Sequence, residues 1–447
     1  MARNIAPDEN ASLLEIIIVF AAVGCAEFIT GGNYGDGVLV AEWVDYFHRG
    51  IGLTAWLGTA ILGIAFCGAP VANMLARRFG FRKVFFIAAT INATSIALTS
   101  FAYSIYVAIA LRLVAGCGLA IQMNTLCPYI MCRFPKYTAI AQAIRSVGIT
   151  GGGFAFPFII NSCLKQFGWR GCSLIISGIV YHQCAIGLIF RRWSNKPTTK
   201  PEHEQAARES LLDLESGDDN SKKRFNNLHQ LELFKKGMFV SFVIHSMVLH
   251  LAVSTIYVHI VTGTRTLLEI STEQARFTVS ALSLTGLIGR FFASLLTTHR
   301  RIDTLTFYLA LHTSLAILVS IIPSLKGYTA ALVVSGCIGF LLSGISLYPL
   351  VLLELFGREY LYMTFAYSEC FGGIGYLLGA PIAGWLYDYT NNYAISFYFC
   401  TAALIVCVII EIPQWIVHMR KRKQNQQIEI QETLSSAKYI SSVQSLT

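Results

Sequence analysis

Long apolar runs separated by short polar stretches rich in glycine, proline and basic side chains fill most of this 447-residue chain. A helix that crosses a bilayer needs about 20 mostly apolar residues. Stretches meeting that length fall at roughly 13–40, 54–75, 84–101, 105–130, 138–162, 168–190, 237–261, 274–297, 303–322, 328–353, 360–387 and 394–417. This pattern predicts an all-α membrane protein with twelve transmembrane helices, and the even number places both termini on one side. Residues 192–236 contain "KPTTKPEHEQAARESLLDLESGDDNSKKRF", charged and poor in aromatics, and read as a partly disordered linker. The expected organisation is therefore an N-terminal segment (1–12), a six-helix half (13–191), the linker (192–236), a second six-helix half (237–417) and a tail (418–447).

An internal repeat supports two pseudo-symmetric halves. The stretch "GCGLAIQMNTLCPYIMCRFPKYTAIAQAIRSVGITGGG" from Gly116 parallels "GCIGFLLSGISLYPLVLLELFGREYLYMTFAYSECFGGIG" from Gly336, with Pro128 over Pro349, Phe134 over Phe356, Ser146 over Ser368 and Gly151 over Gly373. Two six-helix halves repeated in the same orientation are the construction of major facilitator transporters, whose substrate site lies near the midplane between the halves.

Composition agrees, with 54% hydrophobic and only 13% charged residues against about a quarter charged in soluble domains. The net charge of +9 raises the question of a nucleic-acid partner, but the basic residues fall almost entirely between the apolar segments. Segments on the side of the termini hold Arg77, Arg78, Arg82, Lys83, Arg133, Lys136, Arg300, Arg301 and the cluster from Arg420 to Lys423; the opposite loops hold few. By the positive-inside rule both termini and the linker face the cytoplasm. The twelve cysteines lie mostly within apolar runs, without a CxxC pair, and read as reduced packing residues. The start "MARNIAPDENAS" lacks a cleavage site, so the first helix is expected to be retained. The sequons at Asn10 and Asn92 fall on the cytoplasmic side and within a span, where glycosylation is not expected. No GxxxxGK[ST] or HExxH occurs, and "GITGGGF" lacks the strand of a dinucleotide loop. Neither an enzyme, nor a cofactor, nor a metal site is expected.

Several stretches together resemble the monocarboxylate transporters of the major facilitator superfamily: "RFGFRKV", "RFPKYTAIAQAIRSVGITGGGFAFP", "GWRG", "YVHIV", "GLIGR" and "GAPIAGWLYD", over a region from about Pro7 to Pro413. The resemblance implies a secondary transporter of the plasma membrane that moves small carboxylates, commonly with a proton; some relatives carry aromatic amino acids or other organic solutes, and many need a single-span ancillary glycoprotein. The chain also departs from the family. Where proton-coupled members carry a lysine late in the first span it has Tyr34, and where they carry an aspartate one turn before the arginine of the eighth span it has Gly286. The family pattern therefore points to carboxylate binding, and these departures point away from the usual proton residues. A facilitator of aromatic amino acids indifferent to pH and a receptor-like homologue without flux remain as alternatives.

Charges within the spans mark candidate sites, because each costs at least about 2.5–3.5 kcal/mol at the bilayer centre unless it faces a cavity or a partner. Arg290, in "LTGLIGRFFASLL", matches the family's arginine and is the expected carboxylate ligand. Asn124 and Tyr34 are expected to shape the pocket, with His259 of "YVHIV" as a further contact. Arg145, on one face with Gly148 and Gly152, is either a second anion contact or the partner of a buried acid; the GxxxG spacing predicts close approach of another helix. Glu27 is either a relocated proton site or the counter-ion of Arg145 or Arg112, and Arg112 itself reads as structural. Glu369 reads as a packing or gating contact. His245 and His250 read as satisfied core histidines, and their spacing with His259 forms no metal-binding face.

Overall fold

The computed structural model describes residues 13–133, 137–190, 234–235, 237–298 and 303–444. The expected linker and the N-terminal segment lie almost wholly outside these residues. In chain order the helices are α1 (Leu13–Gly31), α2 (Gly37–Phe47), α3 (Ile51–Cys67), α4 (Ala69–Phe79), α5 (Phe81–Thr99), α6 (Ile105–Arg133), α7 (Thr138–Ile189), α8 (Gly237–Leu268), α9 (Thr272–Thr298), α10 (Thr304–Ile321), α11 (Tyr328–Leu342), α12 (Tyr348–Thr390) and α13 (Tyr393–Gln444). Among the described residues the chain is helical and has no strand.

Nine of these helices, or ten counting the bent pair α3 and α4, are long and apolar enough to cross a membrane. The chain is a multi-pass membrane protein. The difference from twelve has local causes. α7 is 52 residues long and is broken at Gly168, whose φ of 64° and ψ of −177° leave the helical region, so two predicted spans are counted as one. α9, which carries Arg290, covers the span predicted at 274–297 and is not among the nine. The first predicted span is split by a 3₁₀ turn at Gly32–Gly35. α13 continues helically into the region of the predicted C-terminal tail, as far as Gln444.

The packing repeats between the two helix groups. α1 lies along α7 as α8 lies along α12, and α3 lies along α6 as α9 lies along α11. Glycine makes the first pair of contacts close. A Cβ at Gly152 of α7 would stand 1.9 Å from the Phe28 carbonyl oxygen of α1, and one at Gly375 of α12 would stand 1.8 Å from that of Met247 of α8. The helix admitted by the GxxxG spacing is thus α1. The groups meet along two seams, α3 against α12 and α7 against α9.

Candidate functional site

The α7–α9 seam places Arg290. Gly286 and Gly289 turn one face of α9 onto α11, where a Cβ would stand 3.3 Å from the Gly339 oxygen and 2.6 Å from that of Phe340. Ser283, two turns before Arg290 and on its face, fronts Gly153 of α7, whose Cβ would stand 3.1 Å from the serine oxygen. Arg290 therefore points at α7, and its Nη1 donates to the Thr150 hydroxyl at 3.0 Å. Its Nε is buried and has no hydrogen-bond partner.

Farther along this antiparallel seam, away from the termini, Arg276 donates to Asn161 and, at 2.8 Å, to Glu42, and Lys165 pairs with Glu273 at 2.9 Å. The α3–α12 seam is closed at the same end. There the carboxylate of Asp388 accepts from the amides of Ile51 and Gly52, both at 2.8 Å, at the N-terminus of α3. That end of α3 carries orphan amides and a positive dipole, so the aspartate of "GAPIAGWLYD" is a cap supplied by the other helix group.

Near Arg290 the two groups bring further polar side chains together. Tyr34, in the 3₁₀ turn after α1, packs on Tyr257 of α8 with ring centroids 4.9 Å apart, and Arg290 is within electrostatic reach of both phenols. Arg145 of α7 donates from Nε to Glu27 of α1 at 3.0 Å; the acid is 1% exposed, with Oε2 unpartnered. Glu369 of α12 lies within electrostatic reach of Arg145 and of His250. His250 itself bonds the Ser246 carbonyl at 2.9 Å.

Arg290, Tyr34, Arg145, Glu27 and Glu369 thus form one group at the junction of the two helix groups. The other predicted residues stand apart. Asn124 donates to the carbonyls of Ala65 and Ala120 at 2.9 and 2.8 Å, which makes it a link between α6 and α3. His259 is fully buried and meets the Ala380 carbonyl at 2.7 Å, tying α8 to α12. Arg112 pairs with Asp36, donates to the Leu57 carbonyl at 2.6 Å, and places its guanidinium 4.8 Å from the Trp43 ring. A cavity of about 20 Å³ lies beside this pair within the N-terminal helix group, room for a water.

Sequence reading overlooked Asp36, Thr150, Tyr257 and Asp388. Tyr257, Asp388 and Thr150 all stand inside quoted motifs, so a signal existed, but only the antiparallel seam brings Thr150 to Arg290. His245 is a correction. It is not a satisfied core histidine, since it shares Glu411 with His312 of α10 and its Nδ1 has no partner.

The Major Facilitator Superfamily profile matches residues 19–359. Human monocarboxylate transporter 14 is 24% identical, covering 88% of this chain and 90% of its own. Chicken monocarboxylate transporter 9 is 25% identical, covering 83% and 86%, and bovine monocarboxylate transporter 13 is 24% identical, covering 89% of each. With the repeated packing of its two helix groups and a profile match over most of its length, this chain belongs to the Major Facilitator Superfamily and is a membrane transporter.

Proposed function

We propose that the protein moves small organic anions, monocarboxylates foremost, across the plasma membrane by alternating access, with both termini cytoplasmic and residues 192–236 joining two six-helix halves. The observation that carries this reading is Arg290. Its planar fork can give a carboxylate two parallel hydrogen bonds; Thr150 engages Nη1, while Nε has no partner. The relatives named as monocarboxylate transporters support the same substrate class. Polar closure of both seams at the end away from the termini supports a state open toward the cytoplasm, and transport then requires those seams to part.

Glu369 favours a second reading, a facilitator of zwitterionic aromatic amino acids, because it sets an acid beside the same site. The substrate carboxylate would sit on Arg290, its ammonium would face Glu369, and its ring would meet Tyr34 and Tyr257. Uptake of labelled carboxylates and amino acids into proteoliposomes at two external pH values, with Arg290→Ala as control, tests both. Flux of simple carboxylates lost in that variant supports the first reading, and flux of amino acids indifferent to pH supports the second. Binding without flux of either class sinks both and leaves a receptor.

A further inference from the structure

Away from the seams, the C-terminal helix group encloses a second titratable cluster. Glu411 of α13 is 1% exposed, and its Oε1 lies 2.5 Å from His312 Nδ1 on α10 and 2.6 Å from His245 Nε2 on α8. His245 and His312 lie eight residues into helices that start on the side of the termini, about 12 Å deep at 1.5 Å per residue. The groups facing the cluster are known for each packed helix. α8 contributes His245; α10 contributes His312 and Tyr308, whose rings are 4.2 Å apart; α13 contributes Cys407, whose thiol meets the His245 carbonyl at 3.9 Å. α12 contributes the buried phenol of Tyr348 and, more weakly, the acid of Glu369, both within electrostatic reach of Tyr308. On the remaining side, a Cβ built at Gly344 would stand 3.7 Å from His312 Nε2.

Among these neighbours there is no lysine or arginine. A carboxylate buried without a cation costs several kcal/mol, so the cluster needs one positive charge of its own. Two sources exist: a divalent ion held by the three side chains, or a proton beyond those of two neutral imidazoles. Ligands about 2.0–2.2 Å from a shared ion stand farther from one another than 2.5 and 2.6 Å, whereas charge-assisted nitrogen–oxygen hydrogen bonds, about 2.7–2.9 Å long, lie nearer to those separations. His245 Nδ1, His312 Nε2 and Glu411 Oε2 are buried without partners, and His245 Nε2 stands 2.6 Å from Glu411 without hydrogen-bond geometry, so the extra proton has more than one place to reside.

We propose that His245, His312 and Glu411 together bind one exchangeable proton, and that this cluster, outside the substrate site, makes transport depend on the pH of the side bearing the termini. A proton taken from that side converts one imidazole to imidazolium, and its return to water restores the neutral ring. The position suits this coupling. The residue after His245, Ser246, donates to the Ser368 carbonyl at 2.8 Å next to Glu369, and α8 also carries Tyr257 to the substrate site. The buried hydroxyl of Tyr308 has no hydrogen-bond partner and is within electrostatic reach of both Glu411 and Glu369.

Proton binding does not rest on the transporter reading; only its effect on flux does. The test uses the full chain purified into nanodiscs and, in parallel, into proteoliposomes. Infrared difference spectra between about pH 5 and pH 8, either side of the ordinary histidine value, are expected to show imidazolium bands that are lost in Glu411→Gln and in His312→Gln. Identical bands in wild type and in both variants overturn the proposal. So does one tightly held zinc per chain, found by elemental analysis and absent from Glu411→Gln. For flux, with labelled lactate and phenylalanine as probes, wild type is expected to change about fivefold over that pH range and Glu411→Gln less than about twofold. An unchanged pH profile in the variant overturns the coupling. Absence of flux in wild type sinks the transport reading instead, and the spectra still decide the proton site. His312→Gln keeps an N–H donor and serves where Glu411→Gln fails to run as a single species in size-exclusion chromatography.

Discussion

Arg290 and Thr150 are 140 residues apart in sequence and 3.0 Å apart across the seam between the two helix groups. Their bond makes the arginine both a closing contact and the expected anion ligand. Arg290→Ala should therefore abolish carboxylate uptake, and Arg290→Lys, which keeps the charge but loses the fork, should reduce it by about 10- to 100-fold, the equivalent of one charge-assisted bond at about 1.5–3 kcal/mol. Thr150→Val removes only the hydroxyl and should change uptake by less than about tenfold. Initial rates in proteoliposomes check all three, and wild-type uptake by Arg290→Ala would remove the arginine from the mechanism.

Arg112 and Asp36 give a contrasting expectation, because their pairing is internal to one helix group. Asp36→Ala should lower stability by about 3–5 kcal/mol by leaving a buried guanidinium uncompensated. The double replacement Asp36→Leu with Arg112→Leu should recover most of that loss, since a buried pair is often no better than apolar residues of similar volume. Thermal midpoints in detergent compare them. A double variant no more stable than Asp36→Ala would mean that the pair contributes beyond its own charges.

Glycine at the α1–α7 contact can be tested with a built-in control. A methyl group at Gly152 meets the Phe28 carbonyl at 1.9 Å, while one at Gly178 meets no atom within 4 Å. Gly152→Ala should force α1 from α7 and cost about 1–3 kcal/mol, as overpacking does. Gly178→Ala, also helical, should be neutral or gain up to about 1 kcal/mol from the smaller entropy loss of alanine. Equal midpoints for the two variants would contradict the close approach.

These cases show which parts of the molecule its sequence discloses. Apolar runs and the Gly116 and Gly336 repeat predict the helices and their duplicated packing, because length and hydropathy are local properties. Arg290, Arg145 and Glu27 stand out for the same reason, as charges where charge is costly. Their partners do not stand out. Thr150 is one hydroxyl among many, and Asp36, the partner of Arg112, lies past a 3₁₀ turn that interrupts the helical periodicity of α1. His245, His312 and Glu411 are brought together by three helices separated in sequence, and no spacing rule joins them. The break at Gly168, whose φ is 64°, falls where the apolar runs 138–162 and 168–190 already part in the sequence.

Asp303, outside the spans at the N-cap of α10, offers a pH test. It accepts from the Thr306 amide at 2.9 Å and from the Thr306 hydroxyl at 2.6 Å, and it meets His418 at 2.9 Å and Arg422 at 2.7 Å. Burial raises its pKa, but the bonds from Thr306 and His418 outweigh burial and leave it below the ordinary value. Its contribution to stability is then complete above the unfolded value of about 3.9 and is lost as pH falls through the lower folded value. Asp303→Asn should flatten this acid portion of the midpoint profile relative to wild type. Asp303→Ala should in addition cost about 0.5–2 kcal/mol at neutral pH for the lost cap. Parallel profiles for wild type and Asp303→Asn would assign the acid sensitivity to other carboxylates.

Asp388 closes the α3–α12 seam by capping a helix that belongs to the other group, so its loss should affect the opening of the seam more than the folding of either group. Asp388→Ala removes the acceptor for the Ile51 and Gly52 amides and should weaken closure by about 0.5–2 kcal/mol, the usual worth of an N-cap side chain. Asp388→Asn retains an acceptor and should fall between Asp388→Ala and wild type. Tyr103 and Tyr389 are 83% and 93% exposed, one in each helix group, and spin labels on non-natural residues at these positions would report their separation by pulsed electron resonance. A shift of about 1.4 kcal/mol moves the open-to-closed ratio tenfold, so Asp388→Ala should show a longer-distance population that wild type lacks. Distance distributions identical to wild type would mean that Arg276, Glu42 and Asn161 on the other seam hold that end shut without Asp388.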